Sequence, residues 1–358
     1  LSGFPLSWMG PMSRTETAGH KSRRVTSVGE PYRVVLTDYI DDHLQPERRV
    51  LEGLASVEAL NAHHEDELIG RIEHADAVVV FHEIYISRKT IDRLEKCRLI
   101  VRAGAGYDNV DGRAARERGI PFCNVPDYGS EEVADSAIAL MMSLARGTHL
   151  ANSILRDGTG PWTYRAVVPL ARLRGRVFGV VGLGRIGSAA ALRARALGMD
   201  VIFHDPYKPD GYDKALGIRR VETLEELLAQ AYVVSLHCPL NEETRHLIDE
   251  AAIARIPRGA YLVNTSRGAV VDVAAVPGAL ASGQLAGAGI DVLDQEPPPA
   301  DHPLMVAWRD PAHPAHHRLI VNPHIAFYSE EGLLDMRVKS VAACRRALLG
   351  MPPRNVVN

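Results

Sequence analysis

The sequence lacks the features that mark membrane proteins and nucleic-acid-binding proteins. No apolar run approaches the roughly 18 residues that a membrane-spanning helix needs. Lys and Arg number 41 against 44 Asp and Glu, so no basic excess favours a nucleic acid. We therefore expect neither a membrane nor a nucleic acid as a partner. The 358 residues are enough for about two domains.

Cysteine is scarce and scattered. Cys97, Cys123, Cys238 and Cys344 form no CxxC pair and no cluster with metal-ligand spacing. We expect four reduced thiols, no bound metal and a reducing compartment, the cytoplasm. The N-terminal segment has no apolar stretch followed by a small-residue cleavage site, so it does not indicate a signal peptide. Residues 1–30 are polar and broken by Gly and Pro, and we expect a disordered tail.

Short apolar runs alternate with helical patterns from residue 32 onward. In the first half we expect helices at 65–74 and 87–96 and strands at 33–37, 57–60, 77–80, 99–102 and 121–124. In the second half we expect strands at 177–181, 201–204, 232–236, 261–264, 287–291 and 319–322. This alternation predicts an α/β fold with two doubly wound parallel sheets, each covered by helices on both faces.

The segment 130–146 breaks this alternation. Ser130 is a suitable N-cap, and Glu131 and Glu132 lie in the first turn, where acids favour the helix dipole. The rest of the segment is apolar on nearly all sides. We expect a helix that is buried between domains or between subunits.

A glycine-rich loop follows the predicted strand 177–181. Gly182 makes a tight turn, Gly184 lets the backbone approach a pyrophosphate, and Gly187 lets the next helix pack close to the strand. The N–H groups of Arg185 and Ile186 would then face the phosphates. The alternative is a loop that only packs a helix against a strand.

The position of Asp205 favours dinucleotide binding over a loop that only packs a helix. The next predicted strand ends in Asp205, at about the 20-residue spacing of the acid that binds the adenosine ribose. A carboxylate there repels the 2′-phosphate of NADP and predicts NAD. His204 and Lys208 could weaken that exclusion, so the preference rests mainly on Asp205.

Three later motifs carry candidate catalytic groups at the ends of predicted strands, where parallel sheets place their ligands. Arg267 could clamp a carboxylate with two hydrogen bonds, His324 could carry a proton, and Glu296 could orient it. Each residue also has an ordinary alternative. Arg267 could form a surface ion pair, Glu296 could be a solvated loop acid, and His324 is one of 15 histidines.

These motifs, in this order and spacing, resemble the D-isomer-specific 2-hydroxyacid dehydrogenases over about residues 32–350. The motifs are Arg102–Asn109, Asn124–Pro126, Gly182–Gly187, Asp205, His237–Leu240, Asn264–Gly268, Asp291–Pro297 and Asn322–Ala326. Within the family, residues 219–224 and 323–330 are most similar to the C-terminal-binding protein branch. Phe327 departs from that branch, whose corepressor members carry Trp there.

The resemblance implies hydride transfer between nicotinamide and C2 of a small D-2-hydroxy acid or 2-keto acid. His324 would exchange a proton with the substrate oxygen, and Glu296 would hold the imidazole. Arg267 would bind the substrate carboxylate and polarise the carbonyl, helped by the backbone N–H groups of Ala105 and Gly106. Cofactor contacts are implied for Gly182, Gly184, Arg185, Ile186, Gly187, Asp205, His237, Cys238, Pro239, Thr244, Thr265, Ser266, Arg267, Asp291 and His324. Cys238 is expected to pack beside the cofactor rather than act as a nucleophile.

The resemblance also implies an architecture. A Rossmann cofactor domain at 129–329 would be inserted into a discontinuous flavodoxin-like substrate domain at 31–128 and 330–358. The catalytic cleft would lie between the two domains, and hinge closure would expel water. The helix at 131–146 would contact a second copy in a homodimer.

Two alternatives remain open at this point. The first is an NAD(H)-sensing protein-interaction module, in which the dinucleotide drives dimerisation and turnover is incidental. It would need a hydrophobic peptide groove on the small domain, which the sequence does not reveal. The second is oxidation of formate or phosphite on the same scaffold, which no pattern favours. An NAD-dependent dehydrogenase of small 2-hydroxy acids is the leading hypothesis.

Overall fold

The computed structural model describes residues 31–358, and the predicted tail at 1–30 lies outside the described residues. Twelve strands lie in this part of the chain. They are β1 Tyr32–Leu36, β2 Ala55–Ala59, β3 Ala77–Val80, β4 Ile100–Arg102, β5 Phe122–Asn124, β6 Val177–Val181, β7 Asp200–His204, β8 Arg219–Arg220, β9 Val233–Leu236, β10 Ala260–Asn264, β11 Leu285–Ile290 and β12 Leu319–Val321.

The described helices connect these strands. The α-helices are α1 Gln45–Leu51, α2 Arg88–Ile91, α3 Gly112–Glu117, α4 Ser130–Ala145, α5 Thr148–Arg156, α6 Arg185–Ala196, α7 Tyr212–Leu216, α8 Leu224–Leu228, α9 Glu250–Arg255, α10 Ala275–Ser282, α11 Pro303–Arg309, α12 Ala315–Arg318 and α13 Glu330–Leu348. Short 3₁₀ helices lie at Glu65–Leu68, Tyr164–Val167 and Gly268–Val270.

The strands form two parallel sheets. The five-stranded sheet has the order β2-β1-β3-β4-β5, and the seven-stranded sheet has the order β12-β11-β10-β9-β6-β7-β8. The first is the flavodoxin-like order, and the second is the Rossmann order with one strand added at an edge. Nearly every residue of the central strands is buried, as parallel sheets covered on both faces require. The predicted fold class is therefore confirmed.

Several local predictions were wrong. The pattern at 65–74 gives only a 3₁₀ helix at Glu65–Leu68, since Gly70 has a φ of 84° that no right-handed helix contains. The pattern at 87–96 gives only α2. The edge strand β8 was not predicted. Ser130 is the first residue inside α4 rather than its cap, and Gly129 precedes the helix without a side-chain hydrogen bond.

The C-terminal helix α13 returns to the first sheet. Its buried residues Met336, Val341 and Leu348 belong to the same apolar core as Val34 and Leu36 of β1. This packing supports the predicted split of the substrate domain between 31–128 and 330–358, with 129–329 inserted. The boundaries themselves stay a prediction.

A buried ion-pair network fixes α13 against α1. The Arg337 guanidinium donates through Nε to Glu47 at 2.6 Å and through Nη1 to Asp42 at 2.6 Å. Nη2 donates to both carboxylates. Glu47 is wholly buried, so Arg337 supplies the counter-charge that a carboxylate in this position needs.

We predict that Arg337→Ala destabilises the protein by about 3–5 kcal/mol, because it leaves the buried Glu47 charge without a partner. Urea unfolding followed by circular dichroism measures the loss. Arg345→Ala, on the exposed side of the same helix, is the matched control and should change stability by about 0.5 kcal/mol or less. Equal stabilities for the two variants would contradict the role given to Arg337.

Candidate active site

The predicted site residues follow the strands of the seven-stranded sheet at one edge. Gly182 follows β6, Asp205 follows β7, His237 follows β9, Thr265 follows β10 and Asp291 follows β11. His324 lies three residues beyond the end of β12. Because parallel strands end at the same edge, the sheet itself collects these groups.

The three glycines of the loop each meet a different environment. Gly182 has a φ of 87°, and a Cβ there would lie 2.7 Å from the backbone nitrogen of Cys238. A Cβ on Gly187 would lie 2.1 Å from the carbonyl oxygen of Gly182. Gly184 instead borders open space. The loop is therefore tightly packed at Gly182 and Gly187. It leaves free space at Gly184, where a pyrophosphate would approach the start of α6.

Asp205 is bound to the glycine loop. One carboxylate oxygen accepts a hydrogen bond from the backbone N–H of Leu183 at 2.8 Å, and the other accepts from Tyr207 N–H at 3.0 Å. These bonds fix the carboxylate beside the loop, at the place of the acid that binds an adenosine ribose.

The loop after β9 presents a neutral histidine and a buried thiol. His237 contacts the Ser235 hydroxyl through Nε2 at 2.9 Å, and its Nδ1 is buried with no partner among the described residues. Burial lowers the pKa of His237 to about 4 and raises the pKa of Cys238 to about 11. Cys238 packs in the apolar core, as expected of a residue that is not a nucleophile. The Thr244 hydroxyl donates to the Pro239 carbonyl at 2.6 Å and fixes the turn.

These residues fit a dinucleotide. The space beside Gly184 leaves room for phosphates, and Asp205 stands beside it. The buried Nδ1 of His237 and the buried hydroxyl of Thr265 both lack partners in the described chain, so both remain available to a ligand. The geometry is compatible with the predicted cofactor contacts, which stay a prediction.

Arg267 is held by its own loop. The wholly buried Asn264 donates to the Arg267 carbonyl at 2.9 Å and accepts from the backbone N–H and hydroxyl of Ser266. The Arg267 side chain then reaches the loop after β4 in the other sheet. A Cβ on Gly106 would lie 1.4 Å from Nη2 of Arg267, so a side chain there would displace the guanidinium from this position. The chain thus brings Arg267 together with the predicted Ala105–Gly106 segment.

Asp108 joins the two sheets through Arg267. Its carboxylate accepts from Nε of Arg267 at 2.9 Å. Burial acts to raise the pKa of Asp108, but the neighbouring Arg267 charge and hydrogen bond hold that pKa below its ordinary value. Asp108 lies inside the motif 102–109, but its sequence context predicted no role for it. The pairing joins residues 159 positions apart, which no local pattern reveals.

His324 and Glu296 form a bonded pair. Nδ1 of His324 lies 2.7 Å from one Glu296 oxygen, and the other oxygen accepts from Leu293 N–H at 2.7 Å. Burial acts to raise the pKa of Glu296, yet the bond to His324 holds that pKa below its ordinary value. An ionised carboxylate can only accept, so Nδ1 carries the hydrogen and Nε2 is left to exchange a proton.

The backbone at His324 is left-handed, with a φ of 53°. Asp291 maintains this conformation. Its carboxylate accepts from Ile325 and Ala326 N–H groups, and its carbonyl accepts from His324 N–H at 2.8 Å. Burial raises the pKa of Asp291. A strained backbone conformation that is held by buried hydrogen bonds is typical of a functional position. The predicted contact of Asp291 with a carboxamide stays a prediction.

An aromatic wall lies beside His324. The His82 ring is 5.6 Å from the His324 ring, and the Phe327 ring is 6.2 Å from it. Tyr39 packs on His82, and Tyr128 packs on Phe327. Burial and nearby cationic side chains, Arg102 first, lower the pKa of His82 to about 3, so this imidazole is neutral. The sequence indicated only Phe327, because the others come from the loops of the first sheet.

Arg102 adds a second cation. It is 6 % exposed and donates to the Ala103 carbonyl, and none of its hydrogen bonds in the described chain reaches a carboxylate. A Cβ on Gly104 would lie 1.6 Å from Nη1 of Arg102. Burial and the Arg267 charge lower the pKa of Arg102. Asp108 and Asp38 partly offset this lowering, and the neighbouring cations Arg102 and Arg267 together favour an anionic substrate.

The site combines a dinucleotide-binding sheet, a histidine paired with a carboxylate, and two arginines. This combination is typical of two-domain α/β dehydrogenases that use a nicotinamide cofactor on an anionic substrate.

Comparison with known proteins identifies the family. The sequence profile described as "D-isomer specific 2-hydroxyacid dehydrogenase, NAD binding domain" matches residues 138–326. A glyoxylate reductase of Korarchaeum cryptofilum is 38% identical over 295 residues, which cover 81% of this chain and 85% of that protein.

Two solved structures are similar to this one. A glyoxylate reductase from Paecilomyes thermophila is 30% identical with a TM-score of 0.79, covering 92% of this chain and 99% of that one. A D-lactate dehydrogenase from Aquifex aeolicus, complexed with NAD and lactic acid, is 26% identical with a TM-score of 0.78, covering 88% and 96%.

The chain belongs to the D-isomer-specific 2-hydroxyacid dehydrogenase family. It is an NAD-dependent oxidoreductase acting on small hydroxy acids or keto acids. The alternative of an NAD(H)-sensing interaction module finds no support among these relatives. Similarity to the C-terminal-binding protein branch stays a prediction. Within the described residues, no helix is long and apolar enough to cross a membrane.

We predict that Asp108→Asn lowers kcat/KM for the keto acid about 100-fold, because Arg267 loses the partner that orients it. NADH affinity, measured by fluorescence titration, should remain unchanged. Asp127→Asn, an exposed acid on the loop after β5, is the matched control. If Asp108→Asn retained the wild-type kcat/KM, the orienting role of Asp108 would be refuted.

Proposed function

We propose that the enzyme interconverts a small 2-keto monocarboxylate and the corresponding D-2-hydroxy acid, with Arg267, Glu296 and His324 as its catalytic residues. The observation that carries the proposal is the His324–Glu296 pair, whose free Nε2 belongs to the same edge of the sheet as Arg267. Glyoxylate and lactate occur in the names of similar proteins, so glyoxylate and pyruvate are the first substrates to test.

NAD, when bound, would supply or accept the hydride. The glycine loop would hold its phosphates through the N–H groups of Arg185 and Ile186, and Asp205 would accept from the adenosine ribose. Pro239 and Ser266 would present backbone to the cofactor, with Cys238 and Thr244 beside it. Thr265 and His237 offer their unpartnered polar atoms.

His324 would move the proton. In the reducing direction its Nε2–H gives a proton to the substrate oxygen at C2, and in the oxidising direction Nε2 takes that proton back. Glu296 accepts from Nδ1 throughout. Its negative charge favours the imidazolium and fixes which nitrogen faces the substrate.

Arg267 would bind and orient the substrate carboxylate. Its Nε is committed to Asp108 and its Nη1 to the Ser266 carbonyl, which leaves Nη2 beside Gly106 for the ligand. The backbone N–H groups of Ala105 and Gly106 would complete the carboxylate site. The aromatic wall beside His324 favours a compact substrate side chain without charge.

We predict that NADH oxidation accompanies reduction of at least one acid in a panel from glyoxylate to branched and aromatic 2-keto acids. NADPH should be a poorer donor, since Asp205 repels its 2′-phosphate.

His324→Gln should bind NADH normally and lose about 100-fold or more of kcat. Arg267→Ala should also raise KM for the keto acid. NADH binding without turnover on any acid would refute the substrate class, and wild-type kcat in His324→Gln would refute the proton carrier.

We further propose a homodimer, whose surface differs from the one expected from the sequence. Seven of the sixteen residues of α4 are buried within the chain itself, and a Cβ on Gly289 of β11 would lie 2.9 Å from the Leu140 Cβ. The following segment 148–168 instead exposes apolar side chains. Helix α5 has no buried residue, Trp162 is 89% exposed and Tyr164 is 74% exposed. An apolar surface of this kind is typical of a subunit contact.

We predict that the protein elutes with the mass of a dimer in light-scattering chromatography. Trp162→Ser with Tyr164→Ser should shift it towards the monomer, because the change removes the two most exposed aromatic rings of the segment. Tyr85→Ser, an exposed tyrosine outside the segment, is the control and should remain dimeric. A monomeric wild type would refute the dimer.

The four thiols support a reducing compartment, and we propose the cytoplasm. Cys97, Cys123, Cys238 and Cys344 are all free, and three of them are buried.

A further inference from the structure

Two loops flank the glycine loop at the adenosine end of the cofactor site. Strand β6 lies between β7 and β9 in the sheet, so the residues after β7 and after β9 stand on either side of Gly182–Gly187. Asp205 begins the first of these loops, and the turn 239–244 belongs to the second. A nucleoside bound at Asp205 would lie between them.

A side-chain bond joins the two loops. The Tyr207 hydroxyl donates to a carboxylate oxygen of Glu243. The Tyr207 backbone N–H also donates to Asp205 at 3.0 Å, so one residue contacts both acids. Its ring is 74% exposed, and no packing in the described chain accounts for its position. The bond to Glu243 raises the pKa of Tyr207, which therefore remains a hydrogen-bond donor.

Glu243 lies in a hydrogen-bonded turn. Its backbone N–H donates to the Asn241 side-chain oxygen at 2.9 Å, and Thr244 N–H donates to the same oxygen at 3.0 Å. The Thr244 hydroxyl closes the turn on the Pro239 carbonyl. Glu243 is thus placed by its backbone as well as by Tyr207.

We propose that Tyr207 and Glu243 form a clasp across the adenosine end of the cofactor site, and that the Glu243 charge acts with Asp205 to exclude a 2′-phosphate. A 2′-phosphate carries about 1.5–2 negative charges near neutral pH, so the carboxylates on the two flanking loops would both repel it. The cofactor without that phosphate meets no such repulsion. The clasp retains the nucleoside by joining the loops on its two sides.

Two conservative variants separate the bond from the charge. Tyr207→Phe keeps the ring and both carboxylates but removes the hydroxyl. Glu243→Gln removes the charge but keeps a side-chain oxygen that can accept from Tyr207. Glu242→Gln removes a neighbouring exposed carboxylate and is the matched control. NADH and NADPH fluorescence on the full chain measures binding, and stopped-flow displacement measures release, so no substrate is needed.

We expect Tyr207→Phe to release NADH about three- to tenfold faster than the wild type, the effect of losing one hydrogen bond. Glu243→Gln should bind NADPH about three- to tenfold more tightly with little change for NADH. The gain should shrink at high ionic strength, which screens exposed charges.

Wild-type release of NADH from Tyr207→Phe would overturn the clasp. An NADPH affinity in Glu243→Gln equal to that in Glu242→Gln would overturn the role of the charge. A wild-type chain that binds neither dinucleotide would overturn the cofactor site and this proposal together.

Discussion

Strands that pair in parallel end at the same edge of their sheet, and all the described strand pairings in this protein are parallel. Site side chains that are far apart in sequence therefore lie at two edges, one in each sheet. The Arg267–Asp108 pair connects these two edges. The positions of the other site groups follow from this geometry, because each lies on a loop that begins at a strand end.

The parts of the site that backbone sterics dictate were predictable from sequence. Gly182 and Gly187 have no room for a side chain, so the fold requires glycine at both positions and the sequence shows their spacing. His324 and Arg267 could be predicted as site residues because short motifs at strand ends carry them. Asp108 and His82 were missed, because their partners are brought together only by tertiary packing. The edge strand β8 is two residues long and leaves no periodicity to detect.

Two acid–base pairs, Glu296 with His324 and Asp108 with Arg267, carry most of the site's charges. Glu296 and Asp108 each hold one cationic partner, and both bonds hold the acid pKa below its ordinary value. Both acids therefore stay ionised where proteins usually operate, and the orientation of their partners does not change with pH there. Within the described chain Arg102 has no hydrogen-bonded acid, although Asp108 and Asp38 act to raise its pKa.

The return of α13 to the first core has a consequence for synthesis on the ribosome. Val34 and Leu36 are made early, but Met336 and Val341, which cover them, emerge only near the end of translation. The seven-stranded sheet is complete in the nascent chain by residue 321, before that helix exists. The inserted half can therefore reach its final structure first, while the N-terminal half waits with an uncovered apolar face, the state in which a growing chain most needs a chaperone.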